Sequence, residues 1–279
     1  MDIEDLNFIQ YLTDFRRSIS MNKLSKLLHN QQSAYGMIVT MKDPAVVEMM
    51  GYAGYDFAII DLEHTTMDLG LVEHMIRAAR CVQVTSVVRT PQSDYGAMLR
   101  VVDAGADAIM VPHLTSREQA ERVVGAAKYR PIGYRGLDGS SRSAAYGTIP
   151  LSQHIERQNE GVTVIGMIED ALALNNLNEI VSVPGLDLLF IGPADLAASL
   201  GYQEQFDHPV VMEAIEEIIA TTRKAGLGIG IPAFTGEEVD RYARIGANYF
   251  TVPPIDTLFF SKALTVHLRE VKQKENLTR

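Results

Sequence analysis

The chain has 279 residues, an apolar content of 47% and a formal net charge of −10. Its basic residues are dispersed along the sequence, which excludes the basic stripe that a nucleic-acid partner requires. No apolar run approaches the roughly 20 residues of a membrane span, and the single cysteine and an acidic N-terminus without a secretion-signal pattern predict a cytoplasmic protein.

Short apolar runs rich in valine and isoleucine alternate with segments of helical period along the whole chain. Most runs are continuous, which is typical of strands buried on both faces of a parallel sheet. The pattern predicts a (β/α)₈ TIM barrel, because a doubly wound open sheet has fewer strands and usually an early glycine-rich phosphate turn. In chain order, the predicted strands are 36–39, 56–60, 85–88, 107–111, 164–168, 187–191, 228–231 and 248–252.

The whole chain, residues 1–279, is predicted to be one barrel domain, with a barrel core at about 35–255 and extra helices at both ends. One long insertion interrupts the regular spacing at residues 130–160, and it is rich in glycine, serine and arginine. Long loops in compact domains are more often functional than decorative. We therefore expect this segment to contribute to substrate specificity.

Polar side chains follow the predicted strands at the end where a (β/α)₈ barrel places its active site. The first strand ends in Thr40, and charged or imidazole groups follow each of the next five strands. The strand starts carry only ordinary aspartates. The groups at the strand ends are, in order, Asp61, Glu63 and His64; Arg89; His113; Glu169 and Asp170; and Asp195.

Glu169 and Asp195 follow adjacent predicted strands, and this carboxylate pair predicts a divalent-metal site. A magnesium-type ion takes oxygen ligands and commonly uses only one or two carboxylates, with water and substrate oxygens completing its coordination. The alternative for each carboxylate is to cap the following helix, since aspartate is a favoured N-cap residue. Because charged groups also follow the neighbouring strands, the metal site is the favoured interpretation.

The remaining strand-end groups predict proton transfer and charge stabilisation. Arg89 offers a planar fork of donors for a carboxylate or an enolate oxygen, with a barrel-mouth salt bridge as the alternative. Asp61 and His64 are three residues apart, so the carboxylate is expected to orient the imidazole as an acid/base group. For His113 the sequence leaves two interpretations open, substrate contact and packing. For Glu63 it predicts no interaction partner.

These residues lie in motifs that resemble the HpcH/HpaI family of class II, metal-dependent 2-keto acid aldolases over roughly residues 30 to 260. The longest motif, at 166–201, is the most specific. The motifs are "YDFAIIDLEH" at 55–64, "VVRTP" at 87–91, "GADAIMVP" at 105–112, "AAKYRPIGYRG" at 126–136 and "GMIEDALALNNLNEIVSVPGLDLLFIGPADLAASLG" at 166–201.

The resemblance implies a (β/α)₈ barrel assembled as a homo-oligomer, a hexamer with an exchanged C-terminal helix or a dimer of barrels. It implies a divalent metal at Glu169 and Asp195, with Mg²⁺ expected and Mn²⁺ or Co²⁺ as alternatives. The substrate is then a small keto acid such as pyruvate or oxaloacetate, whose carboxylate meets the backbone amides of Ala194 and Asp195. Arg89 stabilises the enolate, and Asp61 with His64 handles the proton. The predicted substrate contacts are Gly192, Ala194, Asp195, His113 and Met167.

Two positions depart from the usual aldolase pattern. Family aldolases carry a glutamine where this chain has Met167, and an apolar or small residue where it has His113. The second departure resembles the siderophore-type citrate synthases, which join oxaloacetate to acetyl-CoA on the same scaffold. The sequence thus predicts a metal-dependent lyase or aldolase acting on a 2-keto (3-deoxy) acid, with such a citrate synthase as the alternative and a non-catalytic keto-acid-binding barrel as a third hypothesis.

Overall fold

The barrel wall consists of eight parallel strands that follow one another in chain order and close on themselves. The computed structural model describes residues 22–92 and 94–277. All eight predicted strands are confirmed, because each overlaps one strand of the barrel. The strands are β1 (Ala34–Val39), β2 (Phe57–Asp61), β3 (Thr85–Arg89), β4 (Ala108–Val111), β5 (Thr163–Ile168), β6 (Leu188–Ile191), β7 (Gly228–Pro232) and β8 (Tyr249–Ile255).

Helices surround this wall and extend beyond it at both ends of the described chain. The predicted extra helices are confirmed as α1 before β1 and α11 after β8, while the part of the N-terminal prediction before Asn22 lies outside the described residues. The helices are α1 (Lys23–His29), α2 (Pro44–Ala53), α3 (Leu69–Cys81), α4 (Tyr95–Asp103), α5 (Arg117–Ala127), α6 (Leu151–Gly161), α7 (Ala171–Ile180), α8 (Pro193–Ser199), α9 (Pro209–Lys224), α10 (Gly236–Ile245) and α11 (Asp256–Leu277).

Alternation along each strand separates the barrel interior from the layer under the helices. Phe57 and Ile59 of β2 belong to the interior cluster, whereas Ala58 and Ile60 pack with the helices. Because side chains alternate with a period of two, the next inward residue is Asp61, at the carboxyl end of the strand. The same alternation explains why strands buried on both faces read as continuous apolar runs.

The amino-terminal end of the barrel is closed by α1. Leu24 is fully buried there, and its backbone N–H donates to the Thr85 hydroxyl at 3.2 Å. The Asn22 amide donates to the carbonyls of Asp107 and Gly161 at 3.0 and 2.9 Å. Because side chains and backbone close this end, the opposite, carboxyl end is the open mouth.

The insertion at 130–160 packs at this closed amino-terminal end and along the outer helices, and its Tyr134 stacks on Tyr95 and lines a cavity with His113 near the carboxyl end. Its Arg142 donates to the Ala104 carbonyl, and the Ser143 N–H donates to the carbonyl of Asp103 at 2.9 Å. Its last part forms α6, so the segment is a long loop only in part. Tyr134 thus brings the insertion near His113 within one chain, and the expectation that the segment contributes to specificity stays a prediction.

Among residues 22–92 and 94–277, we find no helix with the length and apolarity to cross a membrane. The barrel runs from Ala34 to Ile255, close to the predicted core of about 35–255. The assignment of residues 1–279 to one domain stays a prediction.

Candidate active site

The charged strand ends meet at the mouth because neighbouring parallel strands are in register there. Asp61 of β2 lies directly opposite Arg89 of β3. Further around the wall, Ile168 of β5 pairs with Ile191 of β6, which places Glu169 beside Gly192. The register therefore brings a cation and several carboxylates to one rim, as the strand-end pattern predicts.

Asp61 and Arg89 form a bidentate ion pair inside the mouth. Arg89 Nε donates to Asp61 Oδ1 at 2.8 Å, and Nη2 donates to Oδ2 at 2.9 Å. Asp61 is fully buried and Arg89 is 7% exposed. Burial alone lowers the pKa of Arg89, but the hydrogen bond and charge of Asp61 outweigh it, so the pKa is raised and the guanidinium stays charged.

The prediction that Asp61 orients the His64 imidazole is wrong. Asp61 contacts His64 only through the backbone, since the His64 N–H donates to Oδ2 at 3.3 Å. The Glu63 N–H donates to Oδ1 at 3.0 Å. With its oxygens committed to these amides and to Arg89, Asp61 shapes the turn and fixes the guanidinium.

Glu63, to which the sequence assigned no partner, lies among the cationic groups of the mouth. Its Oε2 is 3.3 Å from Arg89 Nη1 and 3.7 Å from His64 Nε2. Its Oε1 is 3.9 Å from His113 Nε2. The side chain of Glu63 is 12% exposed, against 68% for His64. The inward alternation of β2 carries on past Asp61 to Glu63, and this was the signal for it.

His113 turns into the mouth from the end of β4 through a left-handed backbone, with φ of 53°. Its Nδ1 is 3.0 Å from Asp170 Oδ2, and its N–H donates to Glu169 Oε1 at 2.7 Å. Burial lowers the pKa of His113, but the hydrogen bond with Asp170 and the surrounding carboxylates outweigh it, so the net pKa is raised. Of the two readings the sequence left open, the structure favours a mouth position over packing.

Glu169 is a buried carboxylate, 3% exposed. Burial raises its pKa to about 7, and the negative charges of Glu63 and Asp195 act in the same direction, against the N–H and imidazole of His113. Gly192 makes room for it, because a Cβ at that position would lie 2.5 Å from Glu169 Oε2. The sequence places a glycine where the carboxylate needs open space.

Asp195 lies in the first turn of α8, and no side chain caps that helix. The capping alternative for Asp195 therefore does not hold. Ala194 precedes it, and both residues are exposed at the mouth. Two oxygen-bearing carboxylates whose charges repel each other suit a hard divalent cation, which would relieve the repulsion. The described residues hold no group of three or more histidine, cysteine or acidic side chains in a metal-binding arrangement, so the fit rests on this pair.

Met167 points into the barrel, one inward position below Glu169. It is 3% exposed and belongs to the interior cluster with Phe190 and Tyr249. A thioether cannot replace the hydrogen bonds of an amide. The floor beneath the carboxylate pair is therefore apolar at this position.

A closed (β/α)₈ barrel with an acidic pair, a buried arginine and two histidines at its carboxyl end defines a class of barrel enzymes whose chemistry lies at the mouth. A match to the family model described as HpcH/HpaI aldolase/citrate lyase covers residues 34–261. The chain belongs to this family, as its motifs indicated.

Named relatives of the chain are aldolases. The 2-dehydro-3,6-dideoxy-6-sulfogluconate aldolase of Pseudomonas putida is 33% identical over 237 residues, which are 85% of this chain and 92% of the relative. A solved HpcH/HpaI aldolase/citrate lyase family protein from Burkholderia cenocepacia J2315 has a TM-score of 0.85 and 31% identity. The match covers 90% of this chain and 100% of the solved chain. The citrate synthase SbnG has a TM-score of 0.84 and 30% identity, covering 91% and 99% of the two chains.

These likenesses bear on the three hypotheses unequally. The aldolase names support a carbon–carbon lyase, and the structural neighbour SbnG gives weaker support to the citrate synthase alternative. The non-catalytic barrel gains no support, because these relatives are named as enzymes.

Proposed function

We propose that the chain is a divalent-metal-dependent lyase or aldolase that breaks or forms a carbon–carbon bond beside the keto group of a 2-keto (3-deoxy) acid. The reaction passes through the enolate of pyruvate or oxaloacetate. The observation that carries the proposal is the buried Glu169 with Asp195 near it, on the same rim as the Arg89 guanidinium. The relatives named as aldolases of keto-deoxy acids support the substrate class.

In this proposal Glu169 and Asp195 hold the metal, with Mg²⁺ expected and Mn²⁺ or Co²⁺ as alternatives. When bound, such an ion withdraws electrons from the keto oxygen and makes a carbanion next to it accessible as an enolate. Glu169 must be ionised to serve as a ligand, and its raised pKa couples metal binding to the loss of a proton. The backbone amides of Ala194 and Asp195 then receive the substrate carboxylate, with Gly192 as a further substrate contact.

Arg89 supplies fixed positive charge for the enolate. Two of its nitrogens are held by Asp61, so the guanidinium cannot swing away when the substrate enters. A charge that is already in place costs no reorganisation as negative charge develops on the substrate, which is the usual source of electrostatic catalysis.

His64 moves the proton. In the cleavage direction the C3–C4 electron pair becomes the enolate, and the C4 hydroxyl gives its proton to the imidazole as the aldehyde forms. The same proton then goes to C3 of the enolate to give the keto acid, so His64 ends the cycle unchanged. Its exposed position at the mouth allows both transfers.

The test is pyruvate release from a 2-keto-3-deoxy sugar acid, followed through lactate dehydrogenase and NADH. We expect activity with Mg²⁺ or Mn²⁺, its loss with EDTA, and its loss in Glu169→Gln. The matched control is Glu179→Gln, which changes an exposed glutamate on α7. Metal-independent activity, or full activity in Glu169→Gln, would refute the proposal.

The second candidate, a citrate synthase that condenses oxaloacetate with acetyl-CoA, is favoured by His113 at the mouth and the apolar floor at Met167. It predicts release of the coenzyme A thiol, measured with a thiol reagent, when oxaloacetate and acetyl-CoA are supplied together with metal. Thiol release without aldol cleavage would make this candidate the correct one, and cleavage without thiol release would remove it.

We also propose that the enzyme is a homo-oligomer, a hexamer or a dimer of barrels, in which α11 packs on a neighbouring subunit. Within one chain this helix exposes an apolar series that would otherwise face water: Leu258, Phe259, Phe260, Leu264, Val266, Leu268 and Val271. Exposed apolar surfaces of this kind mark interfaces. Light scattering on the purified protein gives the assembly size, and a monomer would contradict the proposal.

A further inference from the structure

A cavity of about 110 Å³ lies between α4 and α5, next to the end of β4. Its floor is apolar, and the side chains that form it are Met98, Val111, Pro112, Leu114, Val123 and Ala126. The polar residues of its lining are half-buried or exposed, and they are Gln92, Tyr95, His113, Gln119, Arg122 and Tyr134. An apolar recess with a few convergent polar groups is the usual form of a small-molecule site.

Two stacked tyrosines form the outer edge of this cavity. The rings of Tyr95 and Tyr134 have centroids 6.1 Å apart and planes inclined by 23°. Tyr134 lies along α5, because its N–H donates to the Gly125 carbonyl at 2.8 Å and its hydroxyl to the Arg122 carbonyl at 3.1 Å. A Cβ at Gly125 would lie 2.2 Å from the Tyr134 ring. Glycine is unfavourable inside a helix, and the place of this ring explains why α5 contains one.

The cavity also has hydrogen-bond donors that lack partners in the described chain. Gln119 accepts from the Thr115 N–H and hydroxyl through the same Oε1, at 2.7 and 3.1 Å, which leaves its NH₂ group as a donor. Arg122 uses Nε for the Glu118 carbonyl at 3.2 Å, and its two terminal nitrogens have no contact within residues 22–92 and 94–277. Truly empty cavities are apolar throughout, so unpaired donors indicate a ligand with an acceptor group.

The size and charge of the cavity limit the ligand. An apolar cavity of about 150 Å³ binds one benzene molecule, so this smaller one takes a branched chain of about four carbons. The free guanidinium nitrogens of Arg122 fit a carboxylate, which accepts charge-assisted hydrogen bonds. The ligand class is therefore a short, branched monocarboxylate.

The cavity shares a short segment of chain with the mouth. His113 has a left-handed backbone there, and its N–H donates to Glu169 Oε1 at 2.7 Å. The next N–H, of Leu114, donates to the Met167 carbonyl at 3.0 Å. On the cavity side, the Gln92 amide donates to the His113 carbonyl at 3.4 Å. Such a conformation persists because its surroundings hold it, so a ligand in the cavity contacts the same segment that positions Glu169.

We propose that this cavity is a second small-molecule site, which binds a short branched carboxylate with the alkyl group on the apolar floor and the carboxylate at Arg122. Occupancy of the site changes the environment of His113 at the mouth. The inference goes beyond the proposed function and does not depend on it, because it concerns binding to the metal-free protein.

The experiment is titration calorimetry of the metal-free full chain in EDTA at neutral pH, with isovalerate as the probe. Isovaleramide has the same alkyl group without the charge, and acetate has the charge without the alkyl group. Arg122→Gln removes the cation from an exposed helix face, and Ala126→Leu fills the floor. The matched control is Arg100→Gln, since the exposed Arg100 on α4 makes the same kind of contact, from Nε to the Gly96 carbonyl at 2.9 Å.

A second measurement follows the His113 imidazole during the same titration. Long-range ¹H–¹⁵N correlation spectra resolve histidine side chains, and the His113 signals are assigned by their absence in His113→Gln. This readout reports on the mouth without requiring any catalytic activity.

We expect saturable binding of isovalerate to the wild type, weakened about tenfold or more in Arg122→Gln, because a hydrogen bond to a charged group is lost. Isovaleramide and acetate should each bind about tenfold or more weakly than isovalerate, since each lacks one of the two contacts. Ala126→Leu abolishes binding, and Arg100→Gln binds as the wild type does. The His113 signals shift with isovalerate in the wild type and stay in place in Arg122→Gln.

Absence of saturable binding to the folded wild type would overturn the inference. Binding that survives in Arg122→Gln, a variant on an exposed face, would show that the ligand lies elsewhere, for example at Arg89 in the mouth, and would overturn it equally. Binding at the cavity with unmoved His113 signals would refute the link to the mouth. The proposed function fails in the pyruvate assay alone, so the two failures are distinguishable.

Discussion

The two ends of the barrel each bury an arginine, and they treat it differently. At the amino-terminal end, the Arg135 side chain has no solvent exposure, pairs with Asp103, donates to Gln158 at 2.9 Å and lies over an aromatic ring. At the carboxyl end, Arg89 pairs with Asp61 but keeps its third nitrogen toward the open mouth. Arg135 is therefore enclosed by its partners, whereas Arg89 keeps one nitrogen directed at the mouth.

The histidines repeat the contrast with opposite signs. Burial lowers the pKa of His154, and the charge of Arg135 acts in the same direction, so this imidazole is neutral beside the Tyr129 hydroxyl. His113, bonded to Asp170, has a raised pKa. Ionisable groups at the closed end therefore serve stability, whereas those at the mouth carry unbalanced charge, which stability alone does not require.

The largest test of this contrast is Glu169→Gln. We expect a loss of lyase activity of about 10³-fold or more, since the substitution removes a metal ligand and its charge. The melting temperature at pH about 8 should stay the same or rise, because the variant no longer holds a buried carboxylate in its disfavoured, charged form. Calorimetry on the metal-free protein and the coupled pyruvate assay measure the two effects. A large loss of stability would show that the mouth is a structural site after all.

The reverse result is expected for Arg135→Met at the closed end. Removing one partner of a buried ion pair is destabilising by about 3 kcal/mol or more, because Asp103 is left uncompensated. Urea unfolding should show this loss, while kcat at a temperature where the variant is folded remains within about twofold of wild type, since distant sites act independently. A selective loss of kcat would break the division between the two ends.

The fold was predictable because the order of apolar runs along the sequence is enough to indicate it. Eight continuous apolar runs correspond to the eight strands, and Asp61 and Arg89 follow from reading what comes after each run. The partner of Asp61 was not predictable from spacing. A separation of three residues suggested His64, but register across β2 and β3 places Arg89 opposite Asp61. Strand pairing decides which of these two residues the Asp61 carboxylate contacts, and a single sequence does not reveal the pairing.

Two further differences have physical causes. Glu63 was left without a role because the chain turns after β2, yet the Asp61 carboxylate closes that turn and keeps Glu63 inward. The placement of the insertion at 130–160 was not predictable either: α5 ends at the amino-terminal side, so much of the segment packs there, while its Tyr134 reaches back beside Tyr95 and His113. The direction of the preceding helix, more than composition, fixes where an insertion lies in a barrel.

A third test uses the pH dependence of stability at the mouth in metal-free protein. The pKa of Glu169 is raised from 4.5 to about 7, so between these values the folded state binds more protons than the unfolded state. Stability is then lost as pH rises through that window, and His113, with its raised pKa, acts in the same direction. We expect the Glu169 contribution to be about 2 kcal/mol, removed in Glu169→Gln. Urea unfolding from pH about 5 to 8 in EDTA measures it, and equal slopes for both proteins would contradict it.

The smallest expected effect is the opposite pH dependence of the closed end. His154 has a lowered pKa when folded, so the unfolded state binds more protons. Its contribution is complete above the unfolded pKa of about 6.5 and is lost as pH falls below it. We expect His154→Gln, which keeps a hydrogen-bonding side chain near Tyr129, to flatten the pH dependence of the unfolding free energy below pH about 6.5. The matched control is His74→Gln on the exposed face of α3, which should leave the pH dependence of the unfolding free energy unchanged.

The two ends of the barrel contribute to the pH dependence of stability with opposite signs. A variant that removes the contribution of one end therefore leaves the contribution of the other end dominant. If His154→Gln instead steepened the loss of stability toward acid, His154 would be protonated in the folded state, and the closed end would store charge just as the mouth does.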